Sequence, residues 1–421
     1  MTAATNTNDV MVTADGVPLK VKLRRAERMR KVWALALIAP LFIFLVISFI
    51  LPILQMLTLS VEDPEVSEAL PQTAAMLAEW DGEGFPPPAT IAVFAEEVAQ
   101  AQENRAIGQV ARRLNYDISG FKSGVLKTAK KIDTVLAVPP DQMIDALADI
   151  DRRWGDPNTW GALKTASSAI TDYFMLWAVD RTRDVRGDIV PVNEQRRIYV
   201  DVLIRTVEIS FVVTLLCFLL GLPISYLLAT LPTAKSNLLL ILLLLPFWTS
   251  LLVRTTAWLV LLQSQGLVND LGIWIGLWNE PLELVRNRLG VYIAMVHILL
   301  PFMALPMFAV MKGINPWHMR AAMSLGATPF AAFMKVYMPQ CLPGIGAGCL
   351  LVFILSLGYY ITPALVGGPG DQMISYFIVV NTNQTLNWGL AAALSVILLG
   401  MTLVMFLLYN RLVGIDRLKL G

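Results

Sequence analysis

Long runs of uncharged apolar residues divide this chain before any single side chain is considered. The first covers residues 32–61. Five more follow at 209–231, 238–253 (continuing past Arg254 to 262), 289–311, 344–366 and 389–410, the fourth run containing Pro301 and Pro306. A helix that crosses a bilayer needs about 20 apolar residues, so the pattern predicts six spans. Residues 62–200 are of another kind, with 22 Asp/Glu against 15 Lys/Arg. Turn-rich stretches at 81–88 and 151–157 separate helical patterns over 90–116 and 120–150. A segment of that length can bury a small core of its own. The expected fold is therefore an all-α polytopic membrane protein: six transmembrane helices with a large, mainly helical extracytoplasmic insert between helices 1 and 2.

Composition agrees with this reading. Of 421 residues, 56% are hydrophobic and 15% charged, where a soluble protein carries about a quarter charged residues. Charge then orients the spans. Lys20, Lys22, Arg24, Arg25, Arg28, Arg30 and Lys31 precede the first apolar run, which is too long for the h-region of a signal peptide and so predicts a retained span. With this tail inside, Lys235, Lys312, Arg320, Lys335, Arg411, Arg417 and Lys419 also fall inside, and the short outer loops hold Arg286 and Arg288. The expected organisation is a cytoplasmic basic tail (1–31), transmembrane helix 1 (32–61), a periplasmic insert (62–200) and a transmembrane core (201–415) with a cytoplasmic loop at 312–343. Both termini are cytoplasmic.

The candidate chemistry is sparse. Cys217, Cys341 and Cys349 lie in or beside apolar runs and suggest no disulfide framework. Two histidines, His297 and His318, offer neither a metal site nor a catalytic triad, and no P-loop sequence is present. No catalytic residue, resident cofactor, metal or nucleic-acid site is expected; the residues argue against an enzyme. Within the cytoplasmic loop, Pro316 suits a first helical turn, Gly326 a helix end, and Thr328-Pro329 the start of a second helix running to about Tyr337 and stopping before Pro339. By spacing alone this helix–turn–helix equally suits an amphipathic connector lying on lipid headgroups.

Ala321, Ala322, Gly326, Val336, Met338 and Pro339 stand at the spacing of Glu-Ala-Ala-x3-Gly-x9-Ile-x-Leu-Pro, the "EAA" loop. The loop is similar to that of type I ABC-importer permeases. Stretches 221–229, 245–258, 300–306 and 362–369 resemble the spermidine/putrescine-type branch. The resemblance covers about residues 200–415 and the first span. It departs at Arg320, which stands where the motif has Glu, and in the length of the 62–200 insert. The resemblance implies a permease in the bacterial inner membrane, paired with a second, different permease chain. It also implies two ATP-binding subunits, which carry the ATP and Mg, and a periplasmic solute-binding protein. Pro316, Arg320, Ala321, Ala322, Gly326, Met338 and Pro339 would form the ATPase-coupling loop. The solute would be a polyamine or related amine, with an opine or amino-acid derivative as the alternative; a stand-alone channel or carrier is the competing class.

Trp248, Trp258, Tyr359 and Tyr360 are candidates for a translocation path that stacks on a cation, although aromatic residues also anchor spans at membrane interfaces. Glu208 and Arg254 join that set as charges inside apolar runs, where charge is costly and usually paired or functional. They suggest either an ion pair between neighbouring spans or two separate water-lined positions.

Overall fold

The structure, a computed structural model, describes the backbone of residues 19–413 and the side chains of residues 27–411. Residues 1–18 of the basic tail, the side chains of Lys20, Lys22, Arg24 and Arg25, and Arg417 and Lys419 lie outside the described residues. The chain separates into two units, divided after Thr58.

The first unit is a nearly continuous helix: Leu19–Leu45, a π turn at Val46–Ile50, and Leu51–Leu59. Its stretch Glu27–Leu59 is long and apolar enough to cross a membrane. The π turn stands immediately before Leu51-Pro52. Proline has no N–H to donate and its ring collides with the carbonyl four residues back. A wider turn moves that carbonyl aside and keeps the helix intact. The same arrangement recurs at Phe333–Tyr337, directly before Met338-Pro339.

The second unit begins with the insert. Its helices are short, and Pro64, Pro71, Pro88 and Pro157 each open one, at the position where a missing N–H is harmless. The two long helical patterns expected from sequence are each divided. Residues 90–116 break at Arg105, whose φ is +59°, between Pro88–Glu103 and Ile107–Asp117. Residues 120–150 break into Phe121–Lys130, Ile132–Leu136 and Met143–Ile150, the last division falling at Pro139-Pro140. The core gathers Phe94, Phe121, Trp154 and Trp160 with surrounding Leu, Ile and Val. Both indole N–H groups are satisfied, Trp154 by Thr128 Oγ1 at 2.9 Å and Trp160 by the Trp154 carbonyl at 3.0 Å. The chain enters and leaves this core side by side, because Asp63 N–H donates to Ala169 and Thr171 N–H donates to Val61.

A hairpin, Arg181–Arg183 paired with Ile189–Pro191, leads into the membrane core. Just before it, Asp180 accepts from the backbone N–H groups of Ile198, Tyr199 and Val200 at 2.7–3.1 Å. That carboxylate caps the helix Tyr199–Thr230 from outside the helix and meets the positive end of its dipole. Tyr173 and Phe174 pack against Leu390, Ala393 and Leu394 of Trp388–Val413. A Cβ at Gly389 would collide with the Phe174 ring, so glycine is needed for this approach.

Among the described residues five helices are long and apolar enough to cross a membrane, or six if one bent pair is counted as a single span. Three of them, Tyr199–Thr230, Arg288–Gly313 and Met338–Leu357, form the central bundle. Two expected spans are corrected. The run at 238–262 is not straight: Thr233–Trp248 and Leu251–Leu261 meet at 98°, because Pro246 lies in a 3-10 turn and Ser250 caps a new helix through Val253 N–H. The run at 344–366 begins earlier and ends at Leu357, after which Gly358 breaks the helix and Ile361–Val366 forms a separate short one.

Candidate functional site

The loop after the Arg288–Gly313 helix is built from local signals. The Asn315 side chain accepts from Trp317 N–H at 3.0 Å and starts the helix Trp317–Ser324, with Pro316 immediately before it. Gly326 follows at φ +92°, a left-handed conformation that glycine adopts without the cost of a Cβ. Thr328 then accepts from Ala331 N–H at 3.3 Å and Pro329 opens the next helix. This second helix does not stop before Pro339. The π turn at Phe333–Tyr337 absorbs the proline, and the backbone continues without a break through Met338 and Pro339 to Leu357. The segment from Pro329 and the span that follows are thus one helix that runs from the loop into the central bundle.

One face of Trp317–Ser324 and the turn after it is open. Trp317, Arg320, Ala321, Ser324 and Leu325 recur at i, i+3, i+4, i+7 and i+8 and are all exposed, Trp317 by 65% and Leu325 by 89%. That spacing defines one side of a helix. From the other side Met319 packs on the central bundle, and Ala322 is half-buried. The Arg320 guanidinium lies 4.9 Å from the centre of the Trp317 ring. His318 is held by Gln340 through a 2.9 Å contact.

The candidate path residues do not form one wall. Trp248 sits at the bend of the third span and is 81% exposed. The expected Glu208–Arg254 pair is absent among the described residues. Arg254 follows the 98° bend and turns back to the Thr249 carbonyl at 3.1 Å, with its guanidinium 5.9 Å from the Phe247 ring. Glu208 instead accepts from Arg288 at 2.8 Å, and the same guanidinium reaches Asp371 at 3.1 Å. Asp371 also accepts from Gly368 N–H, closing the turn at 368–371. Arg288 therefore ties the start of one span to the Tyr199–Thr230 helix and to the loop leading to Ile374–Asn383. Trp258 donates to His297 Nδ1 at 3.0 Å. Because an indole can only donate, Nδ1 is the unprotonated ring nitrogen. Beside it, Thr255 and Thr362 hydroxyls meet at 3.2 Å. Tyr359 and Tyr360 occupy the break between Leu357 and Ile361; Tyr359 packs on the bundle, and the Tyr360 ring centre is 6.3 Å from that of Tyr376.

Sequence reasoning missed Arg288, Asp371, His297 and Thr362 as partners. A signal existed for Asp371, since Gly367-Gly368-Pro369-Gly370 ahead of it reads as a turn that places a cap. No comparable signal pairs Trp258 with His297, which are 39 residues apart.

Known proteins match the same part of the chain. A family model described as binding-protein-dependent transport system inner membrane component matches residues 216–414. Over 214 residues the chain is 34% identical to the spermidine/putrescine transport system permease protein PotB of Escherichia coli (strain K12), covering 51% of this chain and 78% of that protein. PotB of Salmonella typhimurium (strain SL1344) is also 34% identical over 214 residues, at 75% coverage of its length. The chain belongs to the binding-protein-dependent transport permease family.

A bacterial alginate ABC transporter, solved in complex with an alginate pentasaccharide-bound periplasmic protein, aligns with 53% of this chain and 79% of its own at 18% identity and a TM-score of 0.44. As a transport permease this chain is an inner-membrane component of a transport system. The family match starts inside the Tyr199–Thr230 helix, so the insert at 62–200 lies wholly outside it.

Proposed function

We propose that this permease is the membrane subunit of an ATP-driven importer that takes a polyamine or related small amine from a periplasmic binding protein into the cytoplasm. The solute class follows the relatives named above for spermidine and putrescine transport. Two ATP-binding subunits sit on the cytoplasmic side and hold the ATP and Mg. A second, different permease chain completes the path. The insert faces the periplasm, and both termini are cytoplasmic. Pro316, Arg320, Ala321, Ala322 and Gly326 form the contact with an ATP-binding subunit, and Met338 and Pro339 carry its motion into the bundle.

The observation that carries this reading is the open face of Trp317–Leu325 on a helix that is capped at one end and turned by Gly326 at the other, with the next helix, from Pro329, running without a break into Met338–Leu357. A floating connector needs neither a left-handed turn nor a rigid link to a span. The test is uptake in proteoliposomes containing the full set of subunits. Gly326→Val places a β-branched side chain at φ +92° and is expected to leave the membrane helices folded while reducing solute-stimulated ATP hydrolysis and uptake at least tenfold. Uptake that persists without the ATP-binding subunits would refute the proposal. Binding of putrescine and spermidine to the cognate periplasmic protein tests the solute class separately.

A further inference from the structure

The outward face of the coupling helix carries a cation with no anionic partner among the described residues. Arg320 makes no ion pair among the described residues, and no Asp or Glu occurs in the sequence between Glu283 and Asp371. The remaining titratable groups nearby are Lys312, Lys335 and His318, the last held by Gln340. On either side of Arg320, the exposed Trp317 and Leu325 offer apolar surface that any docked partner would cover. Covering them removes the guanidinium from water as well, and a desolvated charge without a counter-ion is strongly destabilising.

We infer that the ATP-binding subunit presents a carboxylate to Arg320, set between apolar recesses that receive Trp317 and Leu325. This rests on the coupling role proposed above and adds the chemistry of the partner surface. The guanidinium lies 4.9 Å from the centre of the Trp317 ring, and its N–H groups make no hydrogen bond among the described residues, so they are available for a two-point contact with a carboxylate, which lysine cannot reproduce. A lipid surface fits less well. Interfacial helices carry several basic residues on the polar face, whereas Trp317–Ser324 has Arg320 alone. The small Ala321 and Ser324 on the same face also leave room for another backbone to approach.

The experiment measures binding of the cognate ATP-binding subunit to the complete permease pair in nanodiscs, at low and moderate salt. Arg320→Glu should weaken binding about tenfold or more, and Arg320→Lys several-fold. One Asp→Lys or Glu→Lys change in the groove of the ATP-binding subunit should restore binding to Arg320→Glu and weaken binding to the unaltered permease. Unchanged binding by Arg320→Glu, or failure of every groove carboxylate to rescue it, overturns the inference. So does an Arg320→Glu variant that loses affinity only for vesicles of anionic lipid. If cysteines placed at Trp317 and Leu325 never cross-link to the ATP-binding subunit, the coupling role itself fails, and that result is distinguishable from a lost charge contact.

Discussion

In the insert, Trp154 meets Phe94, Phe121 and Trp160 with ring centres 4.9–5.4 Å apart, and none of the four is more than 1% exposed. In the membrane core, helices meet where a side chain is missing. A Cβ on Gly221 would stand 2.9 Å from Met303 Cγ, one on Gly344 2.9 Å from Val310 Cβ, and one on Gly348 2.9 Å from the Met303 carbonyl oxygen. Ser225 adds a 3.0 Å hydrogen bond to the Ala304 carbonyl across the same interface. The contrast follows from the two solvents. Water drives large apolar side chains together, so the insert can be held by bulk. Lipid gives no such drive between helices, and close approach and interhelical hydrogen bonds take over. Charge follows the same division. The insert buries Arg113 completely between Asp63 and Asp117, whereas the Glu208–Arg288–Asp371 cluster leaves Arg288 36% and Glu208 50% exposed.

The largest effect expected from this contrast comes from removing Arg113. Its guanidinium bonds Asp63 and Asp117 and lies 4.2 Å from the Tyr173 ring, while Tyr173 O–H donates to Asp117. Arg113→Met leaves the buried Asp63 and the partly buried Asp117 without their cation, which costs about 3–5 kcal/mol. Because Tyr173 and Phe174 also pack on the last span, hydrogen exchange should rise both in the insert core and at 388–394. Adding Asp63→Asn and Asp117→Asn to Arg113→Met should recover most of the loss. A single variant as stable as the starting protein would show that the buried network is not a stabilising joint.

A smaller effect is expected in the membrane core. Gly348→Val drives a side chain against a backbone carbonyl that cannot rotate away, and overpacking of this kind costs about 1–3 kcal/mol. Gly400→Val in Trp388–Val413 is the control, since nothing lies within 4 Å of its Cβ. Unfolding of both variants in nanodiscs should separate them. Equal stability would mean that Gly348 is not part of a close interface.

The six apolar runs and the polar insert were legible in the sequence because span length and charge exclusion are properties of a single segment. The helix Trp317–Ser324 was legible for the same reason: Pro316, Gly326 and Thr328-Pro329 act within a few residues of themselves. What escaped depends on partners distant in sequence. Glu208 lies 80 residues from Arg288, and the cap on Tyr199–Thr230 comes from Asp180 on the far side of a hairpin. Pro339 misled because a proline usually ends a helix; the π turn ahead of it is visible only once the backbone is known.

An effect no larger than that of Gly348→Val separates the two regions by pH. Burial pushes Asp63 from the ordinary 3.8 up to about 6, outweighing the attraction of Arg113. A carboxyl that holds its proton more tightly when folded stabilises the fold at low pH and loses that contribution as pH rises through its folded value. The insert should therefore lose about 1–3 kcal/mol as pH rises from about 4 through about 6, and change little above that. Asp151 and Asp172 have the opposite sign, since hydrogen bonds from Arg153 and Arg183 hold them below the ordinary value. Their contributions are lost only as pH falls through that lower range, so the part of the thermal-unfolding profile between pH 4.5 and 6.5 that Asp63→Asn removes reports Asp63. Asp63→Asn should flatten the profile. The Gly348 contact contains no titrating group, so the penalty of Gly348→Val should be constant across the same window. An insert that becomes more stable as pH rises would mean that the Arg113 attraction outweighs burial, and the network would then be an ordinary ion pair.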